Sequence, residues 1–81
     1  MRLDKYLKVS RLIKRRTIAN EACDGGRVSV NGKVARASYD VKEGDILTID
    51  FGSRPVTVRV LEVKETAYKD VAKTMYEAIE E

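Results

Sequence analysis

Histidine is absent from this 81-residue chain, and cysteine occurs once, at Cys23. Together these gaps remove disulfide frameworks, zinc sites built from Cys and His, and the imidazole that most acid–base catalysts use. Cys23 falls on an apolar helical stripe, which makes it a small core residue rather than a reactive thiol beside Arg16. No apolar run approaches the roughly 20 residues that cross a bilayer. The opening MRLDKYLK also lacks the apolar centre of a secretory signal, so a cytoplasmic protein with no membrane partner is expected. Proline occurs once and glycine five times, with no repeat, low-complexity stretch or linker, so disorder is excluded. Apolar residues make up 43 % of the chain, enough for one small core, and the length leaves no room for a second. Residues 1–81 therefore read as a single domain, and no metal or cofactor is expected.

What the chain has is charge, unevenly spread. Residues 1–36 hold ten Lys/Arg and three Asp/Glu, a balance of +7, whereas residues 37–81 hold six and ten, a balance of −4. A merely solvated surface would mix the signs. A basic first half joined to an acidic second half instead orients the molecule, one end toward a polyanion and the other away from it.

Taken in order, Leu3, Tyr6, Leu7 and Ser10 recur at helical spacing, which predicts a first helix over about 3–10 with Arg2, Lys5 and Lys8 outside. Asp4 and Lys8 stand one turn apart and should pair; Arg2 has no such local partner. A basic connector of Arg11, Lys14, Arg15 and Arg16 follows, tucked onto the core by Leu12 and Ile13. A second helix over about 17–24, with Thr17 as its cap, packs Ile18, Ala19, Ala22 and Cys23 and leaves Arg16, Asn20 and Asp24 wet. Gly25-Gly26 supplies a left-handed cap, and Asn31-Gly32 suits the positive φ angles of a type I′ turn between strands at 27–30 and 33–34. After an irregular stretch over 35–41 and a turn at 42–45, alternation predicts strands over 46–51 and 56–63, with Leu47, Ile49 and Phe51 on one face. From Thr66 the period changes, and Tyr68, Val71, Ala72, Met75 and Ile79 predict a C-terminal helix to Glu81. The fold class expected is α+β: two N-terminal helices packed on a mainly antiparallel sheet, plus a C-terminal helix.

The segment RLDKYL, followed by SRLIKRRTIANEACDGGRVSVNGKVARASYDVKEGD, resembles an S4-type RNA-binding domain over about residues 2–51. The matching features are the Arg-Leu-Asp opening, Arg16 with Ala19, Gly26-Arg27-Val28-x-Val30-Asn31-Gly32, and Gly44-Asp45. Residues 52–81 then form a strand-and-helix extension. The opening and the size are similar to the fifteen-kilodalton heat shock protein group, and to its short Gram-positive relatives in ribosome-associated quality control. That resemblance implies a protein bound to the large ribosomal subunit carrying a stalled peptidyl-transfer RNA. It would touch ribosomal RNA and transfer RNA while a partner factor directs C-terminal tailing. Two positions depart from the pattern, Arg15 in place of a Ser or Thr cap and Asn20 in place of a basic residue, and the C-terminus is acidic where the larger relatives are basic.

The expected RNA contacts are first Arg2 and Arg16, then Arg11, Lys14 and Arg15, with Lys5, Asn20 and Lys33 at the periphery. Arginine offers a planar bidentate fork to phosphate, and released counterions make such binding sensitive to salt. Tyr6, the one aromatic close to the basic face, belongs to the core by its spacing. An adaptor that docks a protein through the C-terminal helix and the sheet edge is the alternative. An RNA-modifying enzyme is not expected, because neither a nucleotide-binding glycine motif nor a paired acid–base site is present.

Overall fold

The computed structural model describes residues 1–65 and 69–79. Two helices, α1 (Leu3–Val9) and α2 (Arg16–Asp24), precede the strands β1 (Val28–Val30), β2 (Lys33–Val34), β3 (Ile46–Asp50) and β4 (Pro55–Val60). A single turn of helix, α3 (Lys69–Ala72), leads into β5 (Tyr76–Ala78). The five strands form one antiparallel sheet in the order β2-β1-β3-β4-β5.

Register explains the core. Val28 stands opposite Ile49, Val30 opposite Leu47, and Leu47 opposite Val58, so one pleat face carries an unbroken apolar set. Leu3, Tyr6 and Leu7 of α1 and Ala19 and Cys23 of α2 are buried in the same cluster, as their spacing predicts. The opposite face is polar; on it the Thr48 and Thr57 hydroxyls lie 3.3 Å apart. Asn31 (φ 52°) and Gly32 (φ 85°) make the expected turn. The Asn31 amide donates to Asp45 and its carbonyl oxygen accepts the Ile46 N–H, tying the β1–β2 turn to the start of β3.

The two glycines after α2 divide their labour. Gly26 alone takes the left-handed conformation, at φ 82°. Gly25 is needed for space, since a Cβ there would lie 2.8 Å from the Glu21 carbonyl oxygen. The N-terminal end of α2 differs from expectation: Arg15, extended at φ −125°, is the cap residue in place of Thr17, with no side-chain cap hydrogen bond.

The C-terminal half holds the main correction. In place of a helix from Thr66 to Glu81, α3 covers four residues and the chain then extends as β5 against β4. Thr66 to Tyr68 and the last two residues lie outside the described residues. Ala72 and Met75 are buried, the first at the end of α3 and the second in the bend that leads into β5. Beyond that bend, the open edge of β4 carries unpaired backbone groups, and pairing satisfies them better than further helix. β4 is also shorter than the strand expected over 56–63. Two further corrections concern coverage: Ile18 and Phe51, assigned inward by their periods, are 50 % and 49 % exposed.

Candidate nucleic-acid interface

The basic face is built around a buried acid. Asp4 is only 2 % exposed, yet it faces two arginines that come from either side of it in sequence. Its Oδ1 accepts from Arg2 Nε at 3.1 Å and from the Lys5 backbone N–H at 2.8 Å. Its Oδ2 accepts from Asn20 Nδ2 at 3.1 Å and Arg2 Nη2 at 3.3 Å, and Arg16 Nε stands 3.5 Å away. Both guanidiniums remain about half exposed. Each is thus held at one edge by the carboxylate and free to meet a phosphate with the rest of its fork.

This arrangement corrects the expected surface pairing. Asp4 pairs with Arg2 and Arg16, not with Lys8, and Arg2 does have a local partner two residues away. Burial by itself pushes the Asp4 pKa up; the hydrogen bonds from Arg2, Asn20 and the Lys5 backbone, and the nearby Arg16 charge, outweigh it and hold it down at about 2. The same pairing raises the pKa of Arg2. Burial pushes the Cys23 thiol up to about 11, which removes it as a nucleophile.

The other candidates divide into three groups. Arg11, Lys14 and Arg15 are exposed on the connector and form no ion pair with a described residue. Ile13 anchors that connector, buried and donating its N–H to the Leu7 carbonyl at 3.0 Å. Asn20 turns its amide onto Asp4, so it positions the arginines. Lys5 is paired with Glu65. Lys33 lies on the edge strand β2, lining a separate recess with Arg36, Val34 and Tyr39. Asp4 itself was missed as a functional residue; the Arg-Leu-Asp opening was its only signal.

Arg11 carries a cost. It sits at φ 66°, the left-handed position that ends α1, where glycine is the unstrained choice. Arg11→Gly should therefore raise stability by up to about 1 kcal/mol while removing a cation. Thermal melts would register the gain, and the slope of log affinity against log salt should become shallower by up to about 0.9. A lower melting temperature would show that the Arg11 side chain packs more than it strains.

The arrangement can bind a folded polyanion: two oriented guanidiniums, with the exposed cations of the connector leading into Arg16. The S4 domain family matches residues 1–47. Among curated proteins, the chain is 60 % identical over 81 residues to the RQC P-site tRNA stabilizing factor of Halalkalibacterium halodurans, covering all of this chain and 92 % of the relative. Against the protein of the same name in Bacillus subtilis the identity is 59 %, with 100 % and 94 % covered. Heat shock protein 15 of Vibrio cholerae, solved as a trimer, superposes with a TM-score of 0.90 at 29 % identity, over 98 % of this chain and 81 % of that one. With a family match over more than half its length and relatives of this identity along all of it, the chain belongs to the S4 domain family, in the group that includes the RQC P-site tRNA stabilizing factors and heat shock protein 15.

Proposed function

We propose that this protein binds RNA on the large ribosomal subunit and steadies a peptidyl-transfer RNA left there by stalled translation, so that a partner factor can direct C-terminal tailing of the nascent chain. The observation that carries this reading is the Asp4 cluster, a buried carboxylate that holds Arg2 and Arg16 half exposed on one face. The names of relatives matched along the whole chain support it.

Arg2 and Arg16 make the primary phosphate contacts, and Arg11, Lys14 and Arg15 extend them along the connector. Asn20, Lys5 and Lys33 are peripheral. Ribosomal RNA and transfer RNA are both ligands, read by shape and backbone more than by base edges. The protein is a single domain in the cytoplasm, monomeric when free of the ribosome, and its role is binding, with no catalytic step or cofactor. The adaptor alternative loses the long C-terminal helix it called for, since α3 covers four residues, and keeps only the sheet edge at β5.

Sedimentation through sucrose at low and raised salt tests the proposal, with wild type and Arg16→Ala side by side. Wild type should migrate with large subunits at low salt and be stripped at raised salt. Arg16→Ala should bind at least about tenfold more weakly, the worth of one charge-assisted contact, with its melt within a few degrees of wild type. Wild type remaining at the top of the gradient at low salt would overturn the reading. Loss of folding in Arg16→Ala would make that residue structural.

A further inference from the structure

Two apolar side chains that periodicity places inside the domain stand outside it, and they stand together. Ile18 on α2 and Phe51, one residue past β3, both line a cleft of about 260 Å³ with Ala22, and Lys14, Arg27 and Asp50 also border it. Phe51 keeps the parity of Leu47 and Ile49, but the sheet has ended by then and Gly52, at φ 95°, turns the chain away. The backbone fixes this border: the Arg27 N–H donates to the Ala22 carbonyl at 2.9 Å, and the Arg27 carbonyl accepts the Asp50 N–H at 2.9 Å. The Asp50 carboxylate accepts the Gly52 N–H at 2.8 Å. Neither Lys14 nor Arg27 forms an ion pair with a described residue.

An aromatic ring half in water, beside an aliphatic side chain and two cations, fits a planar ring carried on an anionic backbone. The volume falls just under the roughly 300 Å³ at which pockets for whole small molecules begin, so it suits one ring system better than a complete metabolite. Lys14 also belongs to the basic connector, so the cleft and Arg16 share that connector, with Ile18 and Ala22 on the other side of α2 from Arg16 and Asn20. We propose that the cleft receives one unpaired nucleobase of the bound RNA, stacked on Phe51 beside Ile18, with the flanking phosphates on Lys14 and Arg27. This rests on the RNA-binding reading above and adds that the RNA is single-stranded at this point. Stacking reads the face of a base, not its edges, so the subsite tolerates any sequence.

The chain contains no tryptophan, so Phe51→Trp installs a single fluorescent reporter in the cleft. The probes are an unstructured adenylate decamer and an RNA duplex of the same length. The decamer should quench the tryptophan, and the duplex should bind without quenching it. Phe51→Ala should weaken decamer binding by about 5- to 150-fold, the span of one base–aromatic stack, and leave duplex binding unchanged, while Phe51→Trp retains both. Equal quenching by the two RNAs, or no effect of Phe51→Ala, overturns the proposal. A blue shift on concentrating Phe51→Trp without RNA would assign the cleft to a second copy of the chain and overturn it too. If wild type binds both RNAs, and Arg16→Ala loses the duplex while Phe51→Ala loses nothing, the cleft fails alone. If wild type binds neither, the RNA-binding reading fails with it.

Discussion

Replacing Asp4 with alanine should weaken ribosome association even though it makes the binding face more positive by one charge. If the face worked by charge alone, losing an acid would strengthen binding. In the structure the acid fixes the direction of Arg2 and Arg16, so its loss frees both side chains and the complex must then pay the cost of ordering them again. Stability should fall as well. A carboxyl held at about 2, against an ordinary 3.8, contributes about 2 kcal/mol above pH 4. Because the folded-state value is the lower one, this contribution is complete above the unfolded value and disappears as pH falls from about 4 to 2. Urea midpoints measured across that range should drop in wild type and lack this step in Asp4→Ala. Parallel curves for the two proteins, or tighter sedimentation with the variant, would remove Asp4 from the account.

Met75→Ala should be the most destabilising single change on the C-terminal side. Its side chain is fully buried, and its carbonyl accepts three donors: the Leu61 N–H at 2.8 Å, the Glu62 N–H at 3.1 Å and the Tyr6 hydroxyl at 2.7 Å. Truncating a buried methionine costs about 2–5 kcal/mol, against a total of about 5–15 kcal/mol for a domain. The melting temperature should fall by about 10 °C or more. Tyr6→Phe removes only one of the three donors and should cost about 1 kcal/mol. A Met75→Ala melt within a degree of wild type would show that the C-terminal segment is not part of the core. The folded fraction should still bind ribosomes, because the Arg2 and Arg16 face is built without Met75.

The sequence was most legible where structure is local. Leu3, Tyr6 and Leu7 announced α1 by spacing, and Asn31-Gly32 announced its turn by chemistry. What failed needed information from elsewhere in the chain. Val71, Ala72 and Met75 fit a long helix equally well as a single turn; the open edge of β4 decides between them, and no window around residue 75 contains it. Periodicity gave the side on which Ile18 and Phe51 lie, but not how far the covering partner reaches, and both lie past its limit. Spacing on one helix matched Asp4 to Lys8, whereas the pairing that forms uses Arg2, two positions back at the helix cap, and Arg16, twelve positions away and brought in by the connector.

The sheet's outermost strands are short, two residues in β2 and three in β5, and each places a charge at its edge through Lys33 and Glu77. Between them lie β1, β3 and β4, richer in branched apolar residues and hydrogen-bonded on both sides. Amyloid-like growth begins when a long, apolar, unpaired strand templates another chain. Here the strands with the composition to seed a fibril are sealed, and those left open are too brief and too charged to recruit one.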